Sequence, residues 1–339
     1  MIPFQIKQGL FDNLPNTLEE GTIYYCIDRD FFCIDIKDKD GVLSRKILRG
    51  VGEDVSGDYF TINDVETLAL TGAEIFNDYE NNIATGSYSH AEGRKTIASG
   101  DYSHAEGSYT EATNSGAHAE GFGTVASGNL SHAEGYCTTS SGSYGHTEGC
   151  DTQISSDAVA GHAEGSDTKV LASYGHAEGS YTEVSYAYAH AEGSSSKAKG
   201  EASHAEGSHT EAIGHYSHAE GGYTKAIKSY SHAEGSGTEA QGDAAHAEGW
   251  ESIASGNYSH AEGDYTEASG DSSHAEGYYS KASGEYSHAE GYYSEARGWN
   301  SHAEGSGTIA SGESQHTQGR YNIEDTENKY AHIVGNGTY

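Results

Sequence analysis

The chain is poor in most of what a globular core is built from. Between Ser87 and Gly319 only thirteen residues are Ile, Val, Leu or Phe. Each such side chain contributes about 1.5–3 kcal/mol when buried, so this stretch cannot be an ordinary apolar globule. Proline occurs twice and methionine once; with so little proline, and glycine off a three-residue period, collagen is excluded. Positive charge is scarce: 18 Lys and Arg stand against 52 Asp and Glu, for a formal net charge of −34. That sign excludes nucleic acid and anionic membrane surfaces as partners. No run approaches the ~20 apolar residues of a membrane helix. The opening residues MIPFQIKQGL lack a charged segment followed by an apolar one, so a secretory leader is not expected. The four cysteines, Cys26, Cys33, Cys137 and Cys150, form no CxxC pair and no zinc-like cluster with histidine. They read as reduced thiols of a protein assembled in a cytoplasm.

What the chain has instead is glycine (46), tyrosine (26) and histidine (20), in strict register. Histidine recurs every 14 residues from His90 through His104, His118 and His132 to His146, and again from His162 to His316; only the His146–His162 step is 16. Fifteen of these seventeen copies read HAEG, the exceptions being HTEG at His146 and HTQG at His316. Disorder needs no register, so the glycine-rich composition does not mean a disordered chain. Each repeat divides again into two sevens of the form S/T-x-A-x-G-x-x, as in SHAEG-DY-TEASG from Ser259. Alternation within each five is the strand signature. Ser/Thr, Ala and Gly at positions 1, 3 and 5 suit the inside of a narrow coil, with glycine expected at each corner. A helix is disfavoured, because each of the two glycines per repeat costs about 1 kcal/mol there. The expectation is an all-β solenoid whose 14-residue turns stack about 4.8 Å apart, so that seventeen span roughly 80 Å.

A coil filled with Ser, Thr, Ala and Gly buries little apolar area and is marginal alone. Its two outer faces differ. The second strand varies (Glu267, Lys281, Glu295, Ile309), whereas the first shows His and Glu at nearly every turn. A uniform face implies a constrained environment, and we expect it to face the axis of a homotrimer. The rows concerned are His90 and Glu92, His104 and Glu106, His118 and Glu120, His132 and Glu134, His176 and Glu178, His204 and Glu206, His232 and Glu234, His260 and Glu262, His288 and Glu290, and His302 and Glu304.

The S-x-A-x-G-x-x-S-x-A-x-G unit resembles the YadA-like head repeat of trimeric autotransporter adhesins. The resemblance implies a left-handed parallel β-roll that associates in threes. In that family the axial strand resembles SVAIG, with apolar residues where this chain has His and Glu. The departure points to a polar seam of His–Glu hydrogen bonds repeated at each level, since buried polar groups must be paired. Such a seam makes shaft stability pH-dependent, a neighbouring carboxylate favouring charged histidine and burial opposing it. Three histidines around an axis are also a ligand set for a divalent ion. A motif that fills every level reads as architecture, however, so no metal, cofactor or catalytic residue is assigned.

The ends differ from the shaft. Residues 1–50 contain GTIYYCIDRD, FFCIDIKDKDG and VLSRKILRG, three β segments with turns at Asp28–Asp30 and Lys39–Gly41. They read as a small N-terminal β-meander domain. LPNTLEEGTIYY within it resembles the leading segment of phage structural proteins. Residues 51–81 read as a connector, with VETLALTGAEIF a short helix or a first irregular coil, and residues 82–319 as the shaft. Residues 320–339 read as a cap; GRYNIEDTENKYAHIVGNGTY resembles the segment that closes HAEG-repeat regions in phage and prophage tail proteins. The insertion in 147–161 reads as a surface bulge. The tyrosines at the corners (Tyr265, Tyr278, Tyr279, Tyr292, Tyr293) stack on one another or on a sugar.

The function expected is a trimeric, non-enzymatic fibre or spike of a phage-like virion. It would assemble in the host cytoplasm, dock on tail or capsid proteins through residues 1–50, and lie on the particle's outer surface. A host-surface glycan or protein is a candidate partner. The alternative is a bacterial trimeric surface adhesin.

Overall fold

The computed structural model describes residues 82–337 throughout, together with the strands Gln5–Gly9, Thr22–Cys26, Phe31–Lys37, Leu43–Arg49 and Glu74–Phe76. The chain divides into two compact units, Met1–Leu70 and Thr71–Tyr339. In the first unit the four strands form one sheet in chain order. The first two run parallel and the remaining pairs antiparallel, with Tyr24 opposite Cys33 and Cys33 opposite Ile47. The three β segments read from the sequence are the second to fourth of these. Their turns at Asp28–Asp30 and Lys39–Gly41, the LPNTLEEG segment and most of the connector lie outside the described residues.

The second unit is a parallel β-solenoid, and among the described residues it contains no helix. Each turn has a five-residue strand opening on histidine, such as His260–Asp264, and a two-residue strand, such as Glu267–Ala268. The strands stack in two parallel ladders, nineteen long strands from Glu74–Phe76 to His332–Asn336 and seventeen short ones. The register is residue i on i+14, so that His pairs with His, Ala with Ala, Glu with Glu and Gly with Gly. Identical residues meet because the period of the sequence equals the circumference of the coil.

The alternation read from the sequence is borne out. Ser/Thr at position 1 and Ala at position 3 point inward, with exposures of 0–2 % along most of the shaft, and positions 2 and 4 point outward. Thr224, Thr238 and Thr266 are inside. At the first position of the HAEG strand the serine hydroxyl donates to the carbonyl three residues earlier, as Ser217 does to Gly214 (2.6 Å) and Ser259 to Gly256 (2.6 Å). These bonds close the corner from within. In the other position-1 row, Ser196, Ser252 and Ser280 donate to the glycine carbonyl of the next turn. Thr96, Thr110 and Thr124 in that row bury a methyl instead, and their hydroxyls find no partner.

At the corners the HAEG glycine lies at positive φ, as expected, and the variable pair completes the turn. The residues that turn the chain are the second of each variable pair, and they occupy the left-handed region although most carry side chains: Tyr258 has φ 58°, Tyr265 φ 56°, Tyr279 φ 54°. Such a conformation costs roughly 1–2 kcal/mol per residue. It is offset here by a ladder hydrogen bond at the same residue, as from Tyr265 N–H to the Trp250 carbonyl (2.8 Å), and by ring stacking along the corner. Tyr265 stacks on Tyr279 at 4.7 Å and Tyr279 on Tyr293 at 5.0 Å. Glycine serves the stacking of turns. A Cβ on Gly235 (φ +111°) would lie 2.1 Å from the Gly249 carbonyl oxygen, and one on Gly242 would lie 2.0 Å from the Gly256 carbonyl oxygen. Only a residue without a side chain lets the next coil come this close.

One stretch fills its core differently. At Ile154, Val170 and Val184 the inward alanine of the short strand is replaced by a larger residue, and all three are fully buried. The facing position, serine on most other turns, becomes Gly145, Gly161 and Gly175. A Cβ on Gly175 would lie 2.7 Å from a Val184 methyl and 2.9 Å from a Val170 methyl. Volume added on one strand is thus removed from the other, as close packing requires. The two-residue insertion falls in the same region. Ser156 and Asp157 bulge outward as the sequence implied, while Ala158 is buried and His146 pairs directly with His162.

Asparagine side chains stand in for a missing strand near both ends of the short ladder. Asn82 accepts from Thr96 N–H (3.1 Å) and donates to the Gly93 carbonyl (2.7 Å). Asn322 accepts from Ile309 N–H (2.7 Å) and donates to the Ile309 carbonyl (2.9 Å). Each satisfies backbone groups that an open edge would leave bare. The buried Gln315 accepts from Ser311 and Gly312 N–H and donates to the Tyr330 carbonyl, tying the last corner to the terminal segment. Ile333 sits above Thr317 at the end of the inner column, half-buried.

Candidate functional site

The feature that repeats at every level is the outer face of the long ladder. Parallel, in-register pairing sets one histidine directly above the next. Ring centroids of successive histidines lie 4.6–5.0 Å apart, and from His104 onward consecutive rings stack near-parallel. The column runs through all seventeen repeat histidines and on to His332, which stacks on His316 at 4.9 Å. His332 was not assigned to the row from the sequence. The signal was present, since AHIVG carries histidine at the second slot, 16 residues on, the same step as at the insertion.

Beside the imidazoles runs a second column, of glutamates. Within one strand the separation from His Nε2 to Glu Oε2 is 3.8 Å at His132–Glu134, 3.7 Å at His176–Glu178, 3.9 Å at His232–Glu234 and 3.8 Å at His288–Glu290. It spans 3.5–4.0 Å over the pairs formed. Hydrogen bonds between such groups are about 2.7–3.2 Å long. Within one chain the expected His–Glu bonding is therefore confined to His90 and Glu92, at the long limit of 3.5 Å. The reason is geometric: residues i and i+2 of a strand stand side by side, and each ring is held flat by its neighbours above and below. In sixteen histidines, from His104 to His316, Nε2 is shut off from solvent and has no hydrogen-bond partner.

Burial and the stacked neighbours favour the neutral form in ten of these rings. His118 is lowered to about 4, first by burial and then by His132 and His104; His246 is lowered to about 4 by burial and then by His260 and His232. His132, His162, His190, His204, His232, His274, His288 and His302 shift the same way with burial as the leading cause, and the glutamates oppose the shift in each without overcoming it. Of the two opposing influences anticipated for this face, burial is the stronger. The Glu290 carboxyl is pushed up by burial and by Glu276 and Glu304 on the adjacent turns.

The short-strand face has a different chemistry. Its outward slot alternates in charge over six turns: Lys169, Glu183, Lys197, Glu211, Lys225 and Glu239 stand in register. Lys225 reaches Glu239 at 3.1 Å and Lys281 reaches Glu267 at 2.9 Å, both pairs being largely solvated. Arg297 holds Glu295 and, at 2.9 Å, Glu324 of the terminal segment. An open groove beside this face is lined by Asp167, Lys169, Tyr181, Glu183, Lys197 and His209. Cys137 and Cys150 are free thiols near one corner.

Residues 268–294 match the YadA head domain repeat, in two copies. No curated protein matches the chain. The match falls on ASGDSSHAEGYYSKASGEYSHAEGYYS, where the turns follow the S-x-A-x-G alternation closely and each turn is one long and one short parallel strand. The fourteen-residue turn of this chain is a YadA-like head repeat.

Proposed function

We propose that the chain is the structural shaft of a fibre or spike on a phage or phage-like particle. Three copies associate about one axis in the left-handed sense of the family's β-roll. Residues 1–50, a small β domain, dock on tail or capsid proteins, and the solenoid projects outward to the host surface, where a glycan or protein receptor is met. The observation that carries this reading is the inequality of the two faces. The long-strand face is the same at every turn and offers sixteen buried ring nitrogens without partners, while the short-strand face varies and is solvated. A surface that is constant and carries buried, unsatisfied ring nitrogens is what one copy presents to another. The repeated side chains act as architecture, and no catalytic role is assigned to them.

Sedimentation equilibrium of the purified chain tests the assembly, with a mass of three copies expected; a monomer at micromolar concentration overturns it. Negative-stain images of that material should show rods, and antibody labelling should place the chain on particles. A bacterial trimeric surface adhesin is the second reading, favoured by the match of the repeat to an adhesin head. Labelling on cell envelopes with none on particles would select it.

A further inference from the structure

The long-strand face shows two separate deficits. Ring nitrogens on sixteen turns lack a partner, and the glutamates beside them lack a counter-charge. Lys199, Lys225, Lys281, Arg297 and Lys329 pair with other acids: Glu211, Glu239, Glu267, Glu295, Glu324 and Glu327. The separation of the two groups is itself informative. At 3.7–3.9 Å over most turns it is too long for a hydrogen bond. It is the span of two ligands on one ion, since metal–nitrogen and metal–oxygen bonds of about 2.0–2.2 Å place the donors up to roughly 4.2 Å apart. Clusters such as His246, Glu248 and His260, or His274, Glu276 and His288, bring three donor atoms within 4.8 Å of one another.

We propose that the HAEG face is a linear array of transition-metal sites, each built on the His Nε2 and Glu carboxylate of one strand, and selective for zinc-class divalent ions. Imidazole with one carboxylate suits zinc, nickel or copper and disfavours calcium and magnesium, which take oxygen. Consecutive imidazoles, stacked 4.6–4.8 Å apart at centroid, are too far apart to share an ion, so each site belongs to one turn. Doubly charged ions on adjacent turns repel, and saturation falls near one ion for every two turns. This sets the sites apart from an axial ion held by three chains, because a single copy supplies both ligands. The array does not depend on the fibre reading, and it gives the glutamate column the counter-charge it lacks.

The test uses the full chain stripped with EDTA, with Zn2+ as the probe at pH 7.5, read by equilibrium dialysis with elemental analysis. On the order of eight ions per chain are expected, and Mg2+ at the same concentration should not displace them. Replacing Glu206, Glu220, Glu234, Glu248, Glu262 and Glu276 by Gln keeps the ring stack and should remove about three ions; adding His246→Asn and His274→Asn should leave that count no higher. His209→Asn with His215→Asn, at the corners off the ladder, should change nothing. X-ray absorption at the zinc edge should show imidazole scattering with mixed nitrogen and oxygen ligands. Fewer than two ions per chain, an unaltered count in the Glu→Gln variant whose circular dichroism is native, or an oxygen-only shell would overturn the proposal. Sedimentation in EDTA reads the assembly separately, so failure of one reading leaves the other standing.

Discussion

The two outer faces of one coil obey opposite rules. On the long strand the same His and Glu recur from turn to turn, the rings stack, and the ring nitrogens Nε2 are shut off from solvent, while the glutamates stay open to it. On the short strand the outward residue changes at each level, opposite charges alternate, and water covers most of it. Both faces rest on the same interior of Ser, Thr, Ala and Gly and the same hydrogen-bond ladders, so backbone geometry does not cause the difference. It lies in what each face is free to vary. Solvated pairs contribute about 0–1 kcal/mol each and tolerate substitution, whereas a dehydrated column couples every level to the next.

The sharpest way to break the comparison is to attack what the faces share. Gly235→Ala puts a methyl 2.1 Å from the Gly249 carbonyl at φ +111°. It should cost about 3 kcal/mol or more through clash and backbone strain. Hydrogen exchange should show lost protection at Ala233–Gly249 and little change ten turns away, because each turn contacts only its neighbours. A uniform loss along the shaft would mean the turns are not independent.

The interior gives the next largest effect. Val170→Ala with Val184→Ala should cost about 2 kcal/mol per site. Adding Gly175→Ser, the residue other turns use, should recover part of that loss, whereas Gly175→Ser alone is destabilising because its Cβ would lie 2.7 Å from a Val184 methyl. Chemical denaturation of the four proteins checks the cycle, and additive losses would remove the argument for volume exchange.

Acidification tests the long-strand face. A histidine whose pKa is lowered by folding favours the folded state above about pH 6.5, the unfolded value. That contribution is lost as pH falls toward the folded value, about 4 for His118 and His246, because the unfolded chain takes up the protons first. The melting temperature should therefore fall between pH 7 and pH 5. Glu290, shifted upward by burial and by Glu276 and Glu304, acts with the opposite sign. A melting temperature flat over this interval would contradict neutral stacked imidazoles. At the small end, Lys225→Ala, which removes a 3.1 Å pair with Glu239, should shift stability by no more than about 0.5 kcal/mol in thermal melts.

Much of this was legible in the sequence. The 14-residue period gave the turn, alternation gave the inside and outside, and the 16-residue step gave a bulge that leaves the ladder intact. What escaped depends on the distance between turns rather than on order along the chain. Tyrosine is a poor candidate for a left-handed corner until the ring above it is in place. Composition suggests that His pairs with the Glu two residues on, but parallel stacking turns each ring toward its own kind. The exchange of Ser for Gly at Gly161 and Gly175 looks like noise until Val170 and Val184 are seen opposite. Asn82 and Asn322 act as strand mimics only because a ladder ends beside them.

The i to i+14 register has a consequence for heredity. Because each level meets only near-copies of itself, a duplication or loss of 42 nucleotides adds or removes one whole level and leaves the neighbours' contacts unchanged. Reach then becomes a quantity that replication slippage can tune in steps of about 5 Å, with no new interface to invent at any step.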